Sequence, residues 1–178
     1  SISLDISNGA PIYTSKFIAV HYNINSILRE GRIEELIETC NTMNISVLCI
    51  TESKLDETVS VNKIHLPGFH EPIRRDRILN GKPSKSGGCL IYVKESLLFE
   101  HKIDLQEEHF EHLWVNIIIN KKKFAINCLY RPPNHSSKYH NLFLATAQPV
   151  LQKLQNFQAD YKIITSDLNY GNIYCKEP

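Results

Sequence analysis

The chain has 178 residues, of which 42% are apolar and 22% charged, and its formal net charge is +1. That length suits one domain with a core of its own, and that composition is globular, neither disordered nor fibrous. The near-zero charge excludes a chain that coats nucleic acid over its whole surface, and no apolar run nears the roughly 20 residues that span a bilayer.

The chain starts with Ser1 and not Met, so the natural N-terminus is expected to lie elsewhere, and a signal peptide is not expected. Residues 1–16 are polar, break at Gly9-Ala10-Pro11, and read as a lead-in to a domain over 17–178. The apolar run from Phe17 to Tyr22 predicts a strand that ends in Asn23-Ile24-Asn25-Ser26. Ser26 is the expected N-cap of a helix over 28–43, where Ile33, Leu36, Ile37 and Cys40 recur at i, i+3, i+4 and i+7. Val47 to Ile50 is a short branched run, hence a buried strand, running into Thr51-Glu52-Ser53. Leu66-Pro67-Gly68-Phe69 reads as a turn.

Arg74 to Ser86 is basic and punctuated by Gly and Pro, which predicts a loop, and Gly87-Gly88 opens a strand from Cys89 to Val93. Two strands, 112–119 and 123–130, flank Asn120-Lys121-Lys122 as a hairpin. A period of two places Phe124, Ile126, Cys128 and Tyr130 on one face. Leu142, Phe143, Thr146, Val150 and Leu154 have helical spacing over 137–156, with Pro149 as a kink or break. Tyr161 to Thr165 is a last buried strand, running into Ser166-Asp167-Leu168-Asn169. This order predicts a layered α/β or α+β domain. The five cysteines include no CxxC pair. Cys49, Cys89 and Cys128 sit in apolar runs as small core residues of a reducing compartment, with neither a disulfide framework nor a zinc site expected.

Several strands finish in a polar group: Asn23 and Asn25, Glu52, Tyr130, then Asp167 with Asn169. Read singly, such residues are turn formers or helix caps. Read together at one rim they suit a hard divalent cation beside a phosphate, because carboxylate oxygens bind Mg²⁺ and a carboxylate near a water acts as general base. Between Pro72 and Gly88, Arg74, Arg75, Arg77, Lys82 and Lys85 face only Asp76. They read either as a solvated loop or as a patch along a DNA backbone. Lys121-Lys122-Lys123 is a charged turn tip, Trp114 and Phe124 are core, and Glu107, Glu108 and Glu111 read as solvent-facing.

The ordered blocks Asn23-Ile24-Asn25-Ser26, Leu48 to Asp56, Leu66-Pro67-Gly68-Phe69, Arg74-Arg75-Asp76-Arg77, Gly87 to Val93, Leu113-Trp114-Val115, Tyr130-Arg131-Pro132-Pro133-Asn134 and Ser166-Asp167-Leu168-Asn169 resemble the endonuclease/exonuclease/phosphatase superfamily. Within it they look most like the endonuclease domains of LINE-type (non-LTR) retrotransposons. The resemblance implies a two-layer β-sandwich flanked by helices and Mg²⁺-dependent phosphodiester cleavage, with Mn²⁺ as a substitute. It further implies nicking of target DNA to prime reverse transcription, a reverse transcriptase domain in the same polyprotein, a nuclear setting and no membrane. By position it makes Glu52 and Asp167 metal ligands, with Asn23 supporting the metal–phosphate site. Tyr130 then contacts the scissile phosphate, Asp167 orients or deprotonates the attacking water, Asn169 binds phosphate, and Asn25 contributes to substrate binding.

Two departures qualify this picture. Ser166 stands where the family has Gly. The family's later Asp and its final Asp-His pair have no counterpart before Pro178, so the domain is expected to be truncated at its C-terminal side. The eight His are then surface or structural. Strands without a partner layer are expected to leave apolar surface uncovered, with self-association and little nuclease activity. Two alternatives stay open: a phosphatase, phospholipase or RNA-cleaving relative, and an inactive remnant that at most binds.

Overall fold

The computed structural model describes residues 2–4, 16–79, 81–102, 111–133 and 136–169. Five strands form the first sheet in the order β1 (Ile2–Leu4), β2 (Phe17–Asn23), β3 (Val47–Thr51), β5 (Lys82–Val93), β4 (Ile73–Leu79). Four form the second: β6 (Phe99–His101), β7 (Glu111–Ile119), β8 (Lys122–Tyr130), β9 (Tyr161–Asp167). Each sheet has a single parallel pair, β2 with β3 and β8 with β9. Helix α1 (Arg32–Met43) connects the first pair and α2 (Ser137–Asn156) the second, as parallel neighbours require. The β1 strand falls within the segment read as a lead-in and pairs with β2.

The two sheets pack face to face. Val47, Cys49, Cys89 and Ile91 of the first meet Leu113, Val115, Ile126 and Cys128 of the second in one buried cluster. Leu48 and Ile50 alternate to the other face, where Leu36 and Cys40 of α1 cover them. Burial on both faces explains why β3 reads as an unbroken apolar run. On the far side Val150 and Leu154 of α2 pack on Trp114, Ala125 and Leu129. The layers are therefore helix, sheet, sheet, helix, the expected sandwich flanked by helices. Val47 to Ile50 and Ile117 are buried, whereas Ile118 is exposed. Cys40, Cys49, Cys89 and Cys128 are buried free thiols, and Cys175 lies outside the described residues.

Several elements depart from the sequence reading. The basic stretch expected to loop is a hairpin of β4 and β5, with a register shift between Arg75 and Arg77. Gly87-Gly88 lie inside β5, not at its start. Helix α1 begins at Arg32 with Gly31 at its N-cap, not with Ser26. The reason is that the segment after β2 is already bonded: Ser26 N donates to Glu52 O and Ile27 N to Ser53 O. Pro149 sits inside one continuous helix, and Leu142 points to solvent while Phe143 and Ala147 pack on the core. In β9 only Ile163 is buried, because this strand forms the edge of its sheet.

Candidate active site

Parallel strands deliver the residues at their carboxyl ends to one edge of a sheet. In the first sheet Asn23 closes β2 opposite Thr51, and Glu52 follows at the next position. In the second, Tyr130 closes β8 opposite Asp167, the last residue of β9. Face-to-face packing brings the two edges together. Asn23 Nδ2 donates to Asp167 Oδ2 at 2.6 Å and to Glu52 Oε1 at 3.0 Å, so one amide joins the two carboxylates. Its Oδ1 accepts from the backbone N of Asn25 at 3.2 Å. The exposed Asn25 in turn accepts from Lys54 Nζ, which also lies 3.6 Å from Glu52 Oε2.

Three of these residues hold left-handed backbone although none is Gly: Asn25 at φ 47°, Glu52 at 55° and Asn169 at 46°. Such conformations cost energy and persist where surrounding bonds over-determine them. At Glu52 those bonds come from three sides. Ser26 N donates to Glu52 O, Ser53 N to Gly88 O and Lys54 N to Gly87 O. At Asn169 the buried Arg131 does the work. Its Nη1 donates to Leu168 O and Asn169 O, Asn169 Nδ2 returns a bond to Arg131 O, and the guanidinium lies over the Phe143 ring. The Tyr130 phenol is buried, and its pKa is pushed up by burial first and then by Glu52, Glu111 and Asp167. It therefore stays a neutral hydroxyl, able to donate to an anion.

Neither a protein-family model nor a curated protein matches the sequence. Solved structures do match. The endonuclease domain of TRAS1, a telomere-specific non-LTR retrotransposon, aligns with a TM-score of 0.58 at 14% identity, over 86% of this chain and 59% of that one. The human Nocturnin catalytic domain aligns at 0.59 and 15% identity, over 85% and 63%. The AP endonuclease LMAP from Leishmania major aligns at 0.62 and 14% identity, over 89% and 58%. The fold of this chain is the one these structures share. This chain spans about three-fifths of the length of each of these structures.

In this fold Asn23, Asn25, Glu52, Asp167 and Tyr130 gather at one rim, and Asn169 is tied to Arg131 immediately after Tyr130. The basic residues divide by the alternation of β4. Arg74 turns away from the second sheet and donates to Asp76, Val59 O and Asp56 O, which commits it to holding the chain. Lys85 pairs with Asp56 at 3.2 Å and is largely exposed, and Lys82 is exposed. Arg75 and Arg77 point the other way, toward Glu111. Glu111 corrects the expectation of a solvent-facing acid. Its side chain is 14% exposed, Arg77 Nε lies 3.1 Å from Oε1, and Gly88 N donates to Oε2 at 2.7 Å. Burial raises its pKa, opposed by Gly88 and the two arginines. Glu107 and Glu108 lie outside the described residues. Lys54 and Glu111 are the rim residues that sequence reading gave no role; their spacing from Glu52 and Tyr130 carries no motif signal.

Several of the described histidines have structural partners. His21 shares a hydrogen bond with Thr51 Oγ1, and buried His112 accepts from Trp114 Nε1. Among the described residues no group of three or more His, Cys, Asp or Glu is gathered as for a metal ion. No described helix is long and apolar enough to cross a membrane.

Proposed function

We propose that this chain carries the site of a divalent-metal-dependent DNA endonuclease of the retrotransposon type, which nicks target DNA to prime reverse transcription. The observation that carries the reading is the Asn23 amide bonded to both Glu52 and Asp167. Two carboxylates supported by amides and a phenol suit a hard cation that keeps most of its waters, since Mg²⁺ is commonly held by one or two carboxylates plus phosphate oxygens. Glu52 and Asp167 would hold Mg²⁺ or Mn²⁺, and a bound cation polarises a phosphoryl oxygen. Among the described residues the softer and more numerous ligand sets of structural zinc sites are not assembled.

The chain's own groups then divide the work. Asp167 accepts a proton from the water that attacks phosphorus. Asn23 fixes the Asp167 carboxylate, so its orientation does not depend on the substrate. Tyr130, kept neutral, donates to a non-bridging phosphate oxygen without bringing negative charge to it. Asn169, clamped by Arg131, and Asn25 offer amide groups to the same anion. One P–O bond forms to the water oxygen and one breaks to the departing deoxyribose oxygen, which takes its proton from solvent. The TRAS1 endonuclease domain is among the structures that share this fold, which is in keeping with the DNA reading. The test is nicking of supercoiled plasmid with Mg²⁺ by this chain and by Glu52→Ala. Loss of metal-dependent nicking in the variant, with an unchanged circular-dichroism spectrum, supports the reading. Equal nicking by both proteins, or none by the unaltered chain, overturns it.

A further inference from the structure

We propose that Arg77 binds a DNA phosphate beside Tyr130, with Glu111 as the positioning residue that holds its guanidinium by one edge. The inference rests on the DNA-endonuclease reading of the rim.

Along β4, Ile73 packs on the inter-sheet core. The alternation of a strand sends Arg75 and Arg77 to that same side as β4 runs out past the core. Arg77 arrives next to Gly87, where a Cβ would stand 3.0 Å from Arg77 Cδ, 3.1 Å from Tyr130 Cε1 and 2.5 Å from Glu111 Oε2. Three functional side chains thus pack around one residue that has no side chain. Gly87 has φ +65°, so Gly is needed there twice over, for conformation and for space. Glu111 is in register with Tyr130 across β7 and β8, which places its carboxylate beside the phenol.

The ion pair to Glu111 engages Nε of Arg77. No other hydrogen bond among the described residues engages this guanidinium, so both Nη groups remain for a ligand. A phosphate is the ligand that a planar fork with two parallel donors fits best. The Tyr130 phenol feels the charge of Arg77, which opposes the rise in its pKa. An anion between them would meet a donor from each. Glu111 completes the device: its second oxygen is fixed by Gly88 N, so the acid cannot swing away from Arg77. Two other basic residues of the hairpin lack this arrangement. Arg74 is spent inside the fold and Lys85 is paired with Asp56.

A lysine is a poor replacement for this arginine, because an ammonium held by Glu111 has no planar fork of parallel donors to turn to a phosphate. The experiment measures binding of a fluorescent 20-mer DNA duplex to the whole chain by anisotropy, in Ca²⁺, across a series of salt concentrations. Arg77→Met should weaken binding roughly tenfold and lower the slope of log K against log salt by about 0.9. Arg77→Lys alone should behave like Arg77→Met. In Arg77→Lys combined with Glu111→Gln the ammonium is released and affinity should recover most of the tenfold loss. Wild-type affinity in Arg77→Lys, or no recovery in the double variant, overturns the proposal. So does a duplex that does not bind the unaltered chain. Plasmid nicking with Mg²⁺ is scored separately: normal Arg77-dependent binding without nicking refutes hydrolysis while leaving this inference standing.

Discussion

The side-chain amide of Asn23 donates to Asp167 Oδ2 at 2.6 Å across 144 positions of sequence. That bond ties the rim of one sheet to the rim of the other, and the same nitrogen reaches Glu52. Its loss leaves two carboxylates facing each other without the group that orients both. Asn23→Ala should cost roughly 10- to 100-fold in Mg²⁺ affinity or activity, the usual effect of removing a residue that orients metal ligands. A Mg²⁺ titration of plasmid nicking reads it. An unchanged half-saturating Mg²⁺ concentration and rate would show that the amide is incidental.

Gly88 predicts a second result. Its φ is +86°, and a Cβ there would stand 2.5 Å from Ser53 Oγ, a buried hydroxyl beside the Glu52 strap. Gly88→Ala should destabilise the protein by about 1–3 kcal/mol through strain and overpacking. Adding Ser53→Ala removes the clashing atom but not the backbone strain, so it should restore only part of that loss. Urea unfolding of the single and double variants measures both, and full additivity would refute the clash.

His112 gives the fold an acid-sensitive point. It is buried against Trp114, and burial first, then Arg75 and Lys153, lowers its pKa to about 3. The unfolded chain, with a His pKa near 6.5, binds more protons than the folded one between about pH 3 and 6.5. Stability from this group is therefore complete above pH 6.5 and is lost as pH falls below it. Between pH 6.5 and 5 the loss should approach ~2 kcal/mol. His112→Gln keeps an acceptor for the indole and should remove most of that slope. Denaturant midpoints at pH 7, 6 and 5 for both proteins decide it.

Arg131 predicts coupled losses. Its guanidinium satisfies Leu168 O and Asn169 O from a buried position. Arg131→Met keeps much of the volume and leaves two carbonyls without that donor, at a cost of about 1–3 kcal/mol. Because the same bonds hold Asn169 in left-handed backbone, nicking should fall by more than the folded fraction does. Equal falls in both would confine Arg131 to a stabilising part.

Legibility in the sequence followed the reach of each interaction. β2, β3 and the β7–β8 hairpin announce themselves because burial writes apolar runs of strand length, and Asn23, Glu52, Tyr130 and Asp167 stand out as the polar ends of those runs. The β4–β5 hairpin does not, since its Lys, Arg, Ser and Gly are chosen for partners far along the chain. Arg74 is satisfied by Asp56 O and Val59 O, and Glu111 is buried because Arg77 and Gly88 offset its charge. A periodicity argument sees neither pairing. The α2 face shifted for a similar reason: Phe143, Ala147, Val150 and Leu154 match the curved outer surface of the second sheet better than Leu142 and Thr146 do.

Each half of the candidate site belongs to a different sheet, and the apolar layer between them sets their spacing together with a few bonds at the rim, Asn23 to Asp167 and Gly88 N to Glu111 among them. The rim is thus a gauge of how well that layer is seated. Thinning the layer at a distance, for example by Cys128→Ala or Ile126→Val, should impair nicking through geometry alone, with every polar residue intact. Warming should do the same. The ladder hydrogen bonds run within each sheet, and the bonds between sheets are side-chain ones such as Asn23 to Asp167 and Glu111 to Gly88 N, so the sheets can shift against each other while each stays whole. Catalytic loss should then precede the loss of β-sheet signal in circular dichroism, and the interval between the two curves measures the slack in the seam.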